Sequence, residues 1–91
     1  MAVIRKYIQF YGRVQGVGFR WKARSLAGSL GLTGWVKNEW DGSVRMEVQG
    51  SEVLIDKFLQ SLNRDRYISI TDLDARQIPA EEGESGFSVR Y

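Results

Sequence analysis

Cysteine and histidine are both absent from this 91-residue chain. Without cysteine there are no disulfides and no thiolate chemistry, which fits a reducing cytoplasm. Without histidine, serine–histidine and cysteine–histidine catalysis are excluded, and so are zinc sites built on either residue. Acid–base work then falls to carboxylates, lysine or tyrosine, or else the reaction asks little proton transfer of the protein. No apolar run approaches the roughly 20 residues of a membrane helix. The N-terminal stretch MAVIRKYIQFYG sets Arg5 and Lys6 early and then alternates. It lacks the apolar block and small-residue cleavage site of a signal peptide. Charge of one sign is scarce too. A net charge of +2 permits attraction of anionic ligands but is not the basic excess of a duplex-DNA binder.

What is present is an ordinary globular composition, with 43% hydrophobic residues, enough for one small core. No linker, repeat or low-complexity tract divides the chain, so residues 1–91 are expected to form one domain. Ile4, Ile8, Phe10 and Val14 share one parity, which predicts a long first strand with one apolar face. Lys6 is the exception on that face and is expected near the sheet edge. Ala23, Leu26, Ala27 and Leu30 form a helical stripe, closed by Gly31 with Leu32 packing back. TGWVKN reads as a short strand, Asp41-Gly42 as a hairpin turn, and SVRMEVQ as an alternating strand with Val44, Met46 and Val48 inward. Ser51 caps a second helix whose stripe is Ile55, Phe58, Leu59 and Leu62. Ile68 and Ile70 open another strand, but Leu73 and Ala75 carry the opposite parity, which predicts a bulge near Thr71-Asp72. PAEEGESG reads as an exposed loop, and FSVRY as a terminal strand.

The order is βαββαβ with a short fifth C-terminal strand. It predicts an α+β, ferredoxin-like α/β sandwich: an antiparallel sheet with two helices on one face and solvent on the other.

The stretch GRVQGVGFR, residues 12–20, sits between the first strand and the first helix. Its glycines reach positive φ without a Cβ penalty. Successive N–H groups can then turn inward as an anion-binding nest, reinforced by the helix N-terminus. Arg20 at the junction offers a planar fork to two phosphate oxygens. The stretch is neither GxxxxGK[ST] nor GxGxxG. It therefore reads either as a phosphate cradle or as a glycine-rich turn with an exposed arginine. Asn38 likewise reads either as a turn former or as an amide aimed at a ligand or water. An amide donates and accepts but cannot ionise, so it orients a water without acting as a base.

GRVQGVGFR followed by GWVKN-x3-G-x-V-x5-G resembles the acylphosphatases, as do LGLTGWVKN and FSVRY. The resemblance covers nearly the whole chain. It departs over SLNRDRYISITDLDARQ, where many relatives carry a proline-containing segment. The resemblance implies metal-free, cofactor-free cleavage of the carboxyl–phosphate bond of acyl phosphates by a cytoplasmic monomer. Inorganic phosphate and similar anions would inhibit it, and neither nucleic acid nor membrane would be a partner. By motif position, Arg20 would bind the phosphate and Asn38 would hold the attacking water. The N–H groups of Gln15, Gly16, Val17, Gly18, Phe19 and Arg20 would cradle the phosphoryl oxygens.

Arg13, Lys22 and Arg24 read as solvated or steering charges, and Trp21, Trp35 and Trp40 as packing or rim residues. Glu39, Asp41 and Glu47 read as surface carboxylates. Two rivals stand beside this reading. A ferredoxin-like module could bind anions without turnover, as a related domain within a hydrogenase-maturation protein. An RNA-recognition domain would stack bases on Tyr7 and Tyr11, although its signature run is missing from SVRMEVQ.

Overall fold

A computed structural model describes residues 2–91. Strand β1 (Ile4–Arg13) leads into helix α1 (Phe19–Leu30), then β2 (Thr33–Asn38), β3 (Val44–Gly50), α2 (Glu52–Asn63), β4 (Ser69–Ile78) and β5 (Phe87–Arg90). The sheet order is β4-β1-β3-β2-β5. The β1–β3, β1–β4 and β2–β3 pairs are antiparallel, as expected, whereas β5 adds parallel to β2 and makes the sheet mixed. No helix among the described residues is long and apolar enough to cross a membrane.

Both helices cover the same sheet face. Ile8, Phe10, Val36, Val44, Met46 and Val48 meet Ala23 and Ala27 of α1 and Ile55, Phe58 and Leu62 of α2, all fully buried. The chain's local signals place the helix ends. Leu32 N–H donates to Ala27 O across the left-handed Gly31, and Ser51 Oγ accepts from Leu54 N–H at 3.3 Å. The expected bulge is at Thr71. Tyr11 pairs with Asp72 and Gly12 with Ile70, so Thr71 is the extra residue. It restores Leu73 to the face of Phe10. Lys6 is not at an edge: β1 is flanked by β4 and β3, and Lys6 pairs with Val48 and Gln77 near one end of the strand.

The other sheet face is less open than its polar pattern suggests. Arg5 on that face is 1% exposed. Its guanidinium donates to Glu47 at 2.7 Å and to both oxygens of Glu84 at 2.7 and 3.1 Å. Glu81 lies 3.3 Å away. Glu47 is therefore not a free surface carboxylate. The 79–86 segment is the expected exposed loop, half-buried only at Glu84, and the cluster pins it against the sheet just before β5. The bidentate Arg5 fork, assisted by Thr33, holds the Glu84 carboxyl below its ordinary value of 4.5 despite partial burial.

That depression fixes a pH signature. Glu84 contributes stability fully above pH 4.5 and loses it as pH falls through its lowered native value. Glu84→Gln is expected to cost about 1–3 kcal/mol at neutral pH, because a buried guanidinium loses the one carboxylate that engages it through both oxygens. Urea titrations of both proteins should show this gap shrinking only below pH 4.5. A gap that is constant with pH would mean that the ion pair is not its source.

Candidate active site

The passage from β1 to α1 is staked into the core by side chains and left bare along its backbone. Val14 and Phe19 are buried, and Val17 packs against the core between them. Phe19 meets Phe10 with ring centroids 5.0 Å apart. Between these anchors Gly16 and Gly18 have φ of 72° and 80°. Left-handed backbone alternating with ordinary residues turns successive N–H groups to one side. No backbone acceptor among the described residues takes the N–H groups of Gln15 to Arg20. No side chain stands over the glycines: a Cβ at Gly16 or Gly18 would meet nothing within 4 Å. It is the backbone conformation, not space, that calls for glycine here.

A cleft of about 290 Å³ opens over this loop. Val14, Gln15, Gly16, Gly18, Phe19, Arg20, Trp21, Arg24, Asn38, Val89 and Tyr91 line it. Five of the six expected cradle residues thus reach the cleft wall, together with Asn38. Val17 does not line it and turns its side chain to the core. Asn38 is the last residue of β2, paired with Val44 across the hairpin. Its Oδ1 is buried and accepts no hydrogen bond among the described residues. A buried amide oxygen without a donor costs stability unless something else fills the position.

Gln15 ties the two halves of the cleft together. Its Nε2 donates to Glu39 O and, at 2.9 Å, to Ser43 O in the β2–β3 turn. The turn is itself closed by Glu39 N–H to Ser43 O at 2.8 Å. Asp41 Oδ1 accepts from the Ser43 hydroxyl at 2.6 Å and from its N–H at 2.9 Å. Those two donors hold the Asp41 carboxyl below its ordinary value. Glu39 pairs with Arg45. The acids of this turn therefore shape it and do not face the cleft.

The Arg20 guanidinium lies against the Tyr91 ring, 5.0 Å from its centroid. Tyr91 and Val89 line the cleft because β5 runs parallel beside β2, a pairing no local pattern announces. Trp21 stands on the rim, 72% exposed. Trp35 is instead packed on the outer face between Arg90 and Arg45, and Trp40 is fully exposed. The tyrosines proposed as a stacking platform are occupied: Arg76 covers Tyr7 at 5.0 Å, and Tyr11 Oη reaches Asp74 at 3.5 Å.

The tie through Gln15 is testable. Gln15→Leu removes two hydrogen bonds between the loop and the turn. It is expected to lower stability by about 1–2 kcal/mol, measured by urea unfolding. An unchanged midpoint would show that the loop and turn hold their places independently.

The acylphosphatase family profile matches residues 6–89. An acylphosphatase of Clostridium acetobutylicum is 44% identical over 88 residues, covering 96% of this chain and 97% of the relative. The acylphosphatase structure from Bacillus subtilis superposes with a TM-score of 0.89 at 34% identity, covering 97% of this chain and 99% of that one. An acylphosphatase structure from Coxiella burnetii gives 0.87 at 31% identity, over 97% and 93% of the two chains. With that extent of match in sequence and in fold, the chain belongs to the acylphosphatase family.

Proposed function

We propose that this acylphosphatase holds the phosphoryl group of its substrate in the 15–20 loop, clamps it with Arg20, and places the attacking water with Asn38. The observation that carries the reading is the buried, partnerless Oδ1 of Asn38 in the wall of a cleft whose floor is bare N–H groups. One is an acceptor waiting for a donor, and the other is a set of donors waiting for an acceptor. A water and a phosphoryl group supply these together.

The chemistry suits a site without histidine. In an acyl phosphate the leaving group is a carboxylate, which departs without a proton. Water oxygen bonds to phosphorus, the bond from phosphorus to the acyl oxygen breaks, and its electron pair leaves with the carboxylate. The proton of the water passes to a phosphoryl oxygen, giving a carboxylate and dihydrogen phosphate. Phosphoryl transfer of this kind rests on positioning and on charge stabilisation. The N–H dipoles and the guanidinium meet the charge on the equatorial oxygens in a pre-set geometry. Asn38 accepts a hydrogen bond from the water through Oδ1 and fixes its direction of attack. The Tyr91 ring restricts Arg20, so less freedom is lost when the fork closes on phosphate.

The rest of the reading follows the same line. A single globular domain spans residues 1–91, acting as a monomer in the cytoplasm, where the lack of cysteine carries no cost. Inorganic phosphate competes for the cradle as product.

Benzoyl phosphate hydrolysis at neutral pH, with chelator present, tests the assignment. Arg20→Ala is expected to lose at least about 10²–10³-fold in kcat/KM and to weaken phosphate inhibition. Arg20→Lys should fail almost as badly, because a point charge does not replace a two-pronged fork. Asn38→Ala should lower kcat while leaving the inhibition constant of phosphate little changed, since the water matters only to the chemical step. Full kcat in Asn38→Ala would remove Asn38 from the mechanism.

A further inference from the structure

Three basic side chains stand near the loop in sequence, and the fold sorts them. Lys22 pairs with Asp65 at 3.6 Å. Arg13, at the end of β1, does not line the cleft. Arg24 does line it, is solvent-exposed, and has no carboxylate partner among the described residues.

Arg24 follows Arg20 by four residues on α1, so the two side chains rise from the same helix face, with Cβ atoms about 6 Å apart. Among the described residues, the cleft lining includes these two arginines and no Asp or Glu side chain. Arg20 sits at the loop, against Tyr91, with the N–H donors. Arg24 rises from α1 one turn further along the helix than Arg20. The space between it and the loop is open to solvent and flanked by the exposed ring of Trp21.

We propose that Arg24 is a specificity residue on the acyl side of the cleft. It favours acyl phosphates whose acyl group carries a second anion, a carboxylate or a phosphate, several ångströms from the phosphoryl group. The inference rests on the placement of the phosphoryl group at the 15–20 loop. With the phosphoryl group seated there and the acyl chain running outward along α1, Arg24 meets the far end of the substrate. Trp21 gives the intervening apolar part a surface. A substrate with a neutral acyl group leaves Arg24 solvated and gains nothing from it.

The test compares benzoyl phosphate with 3-carboxybenzoyl and 4-carboxybenzoyl phosphate. These share one ring, differ by a single anion, and cannot cyclise. The measured quantity is the ratio of kcat/KM for each carboxylated substrate to that for benzoyl phosphate, at low ionic strength. In Arg24→Gln the ratio for at least one of the pair is expected to fall about three- to fivefold, the scale of an exposed ion pair. The loss should lie in KM, because the contact is equal in ground and transition states. Arg24→Lys should recover most of the ratio. Lys57→Gln, an equal charge change on the exposed face of α2, should leave it at the wild-type value. A ratio in Arg24→Gln that matches the wild type or falls no further than in Lys57→Gln overturns the proposal. So does a loss equal for all three substrates, which would place Arg24 at the phosphoryl end. Failure of the wild-type chain to hydrolyse benzoyl phosphate at all would instead strike the underlying placement of the phosphoryl group, and the proposal would fall with it.

Discussion

The turn from β1 to α1 leaves a row of amide N–H groups that the fold does not satisfy. Buried backbone donors are almost always paired within the fold; these line an open cleft and are left free for water or an anion. The row persists because side chains on either side hold the loop in place. Val14 and Phe19 are sunk in the core at the two ends, and Gln15 bonds across to the next turn. The stability that keeps the cradle open is thus supplied by apolar burial some residues away. On the proposed reading, an anion entering the loop meets donors whose ordering has already been accomplished during folding, and that is the condition for strong stabilisation of a developing charge.

The rest of the architecture brings single residues to this loop. Strand β2 lies between β3 and β5. Its last residue, Asn38, therefore ends beside the cradle, and the parallel addition of β5 carries Tyr91 to the same end. The lead-in to β5 is fixed at the opposite end of the sheet, where Glu81 and Glu84 gather on Arg5. A charge cluster around the buried Arg5, remote from the cleft, thus helps decide where the Tyr91 ring meets Arg20. A pair exposed to water would hold the segment weakly. This one is sheltered on the guanidinium side, and both oxygens of Glu84 are engaged.

Most of this was legible in the sequence because the signals are local. The parity of Ile8 and Phe10, the stripe Ala23-Leu26-Ala27-Leu30, the Ser51 cap and the parity break before Leu73 each reflect one element's own geometry. Arg20 and Asn38 stood out through motif spacing, and the fold brings both to one cleft. What escaped depends on pairing between distant segments. Arg5 looked like any alternating polar residue, and its burial comes from a loop some 79 residues later. Gln15 was read for its N–H, whereas its side chain does the linking. Tyr91 reaches Arg20 only because β5 runs parallel to β2. Arg24 and Lys22 are alike in composition and near neighbours in sequence. Only the placement of the turn after α2 beside α1 shows that Lys22 is engaged by Asp65 and Arg24 is not.

The cleft is unequal along its length, and the inequality follows from how each end is built. At the loop, the donors belong to the backbone, so their positions are set by the chain itself and by buried anchors. At the rim, Trp21 is exposed, and Arg24 stands in solvent on a flexible stem. Rigid donors discriminate sharply, since a group that fails to match them leaves polar atoms unpaired. Mobile exposed groups discriminate by only a few-fold. On the proposed placement of the phosphoryl group, a site made this way is strict about that group and tolerant of what it is attached to. The same asymmetry suits a reaction in which the bond broken lies at the strict end and the departing carboxylate needs no proton. In the proposed mechanism the protein must hold one end still, and the backbone N–H row, one fixed cation and a neutral amide do so without an ionisable base.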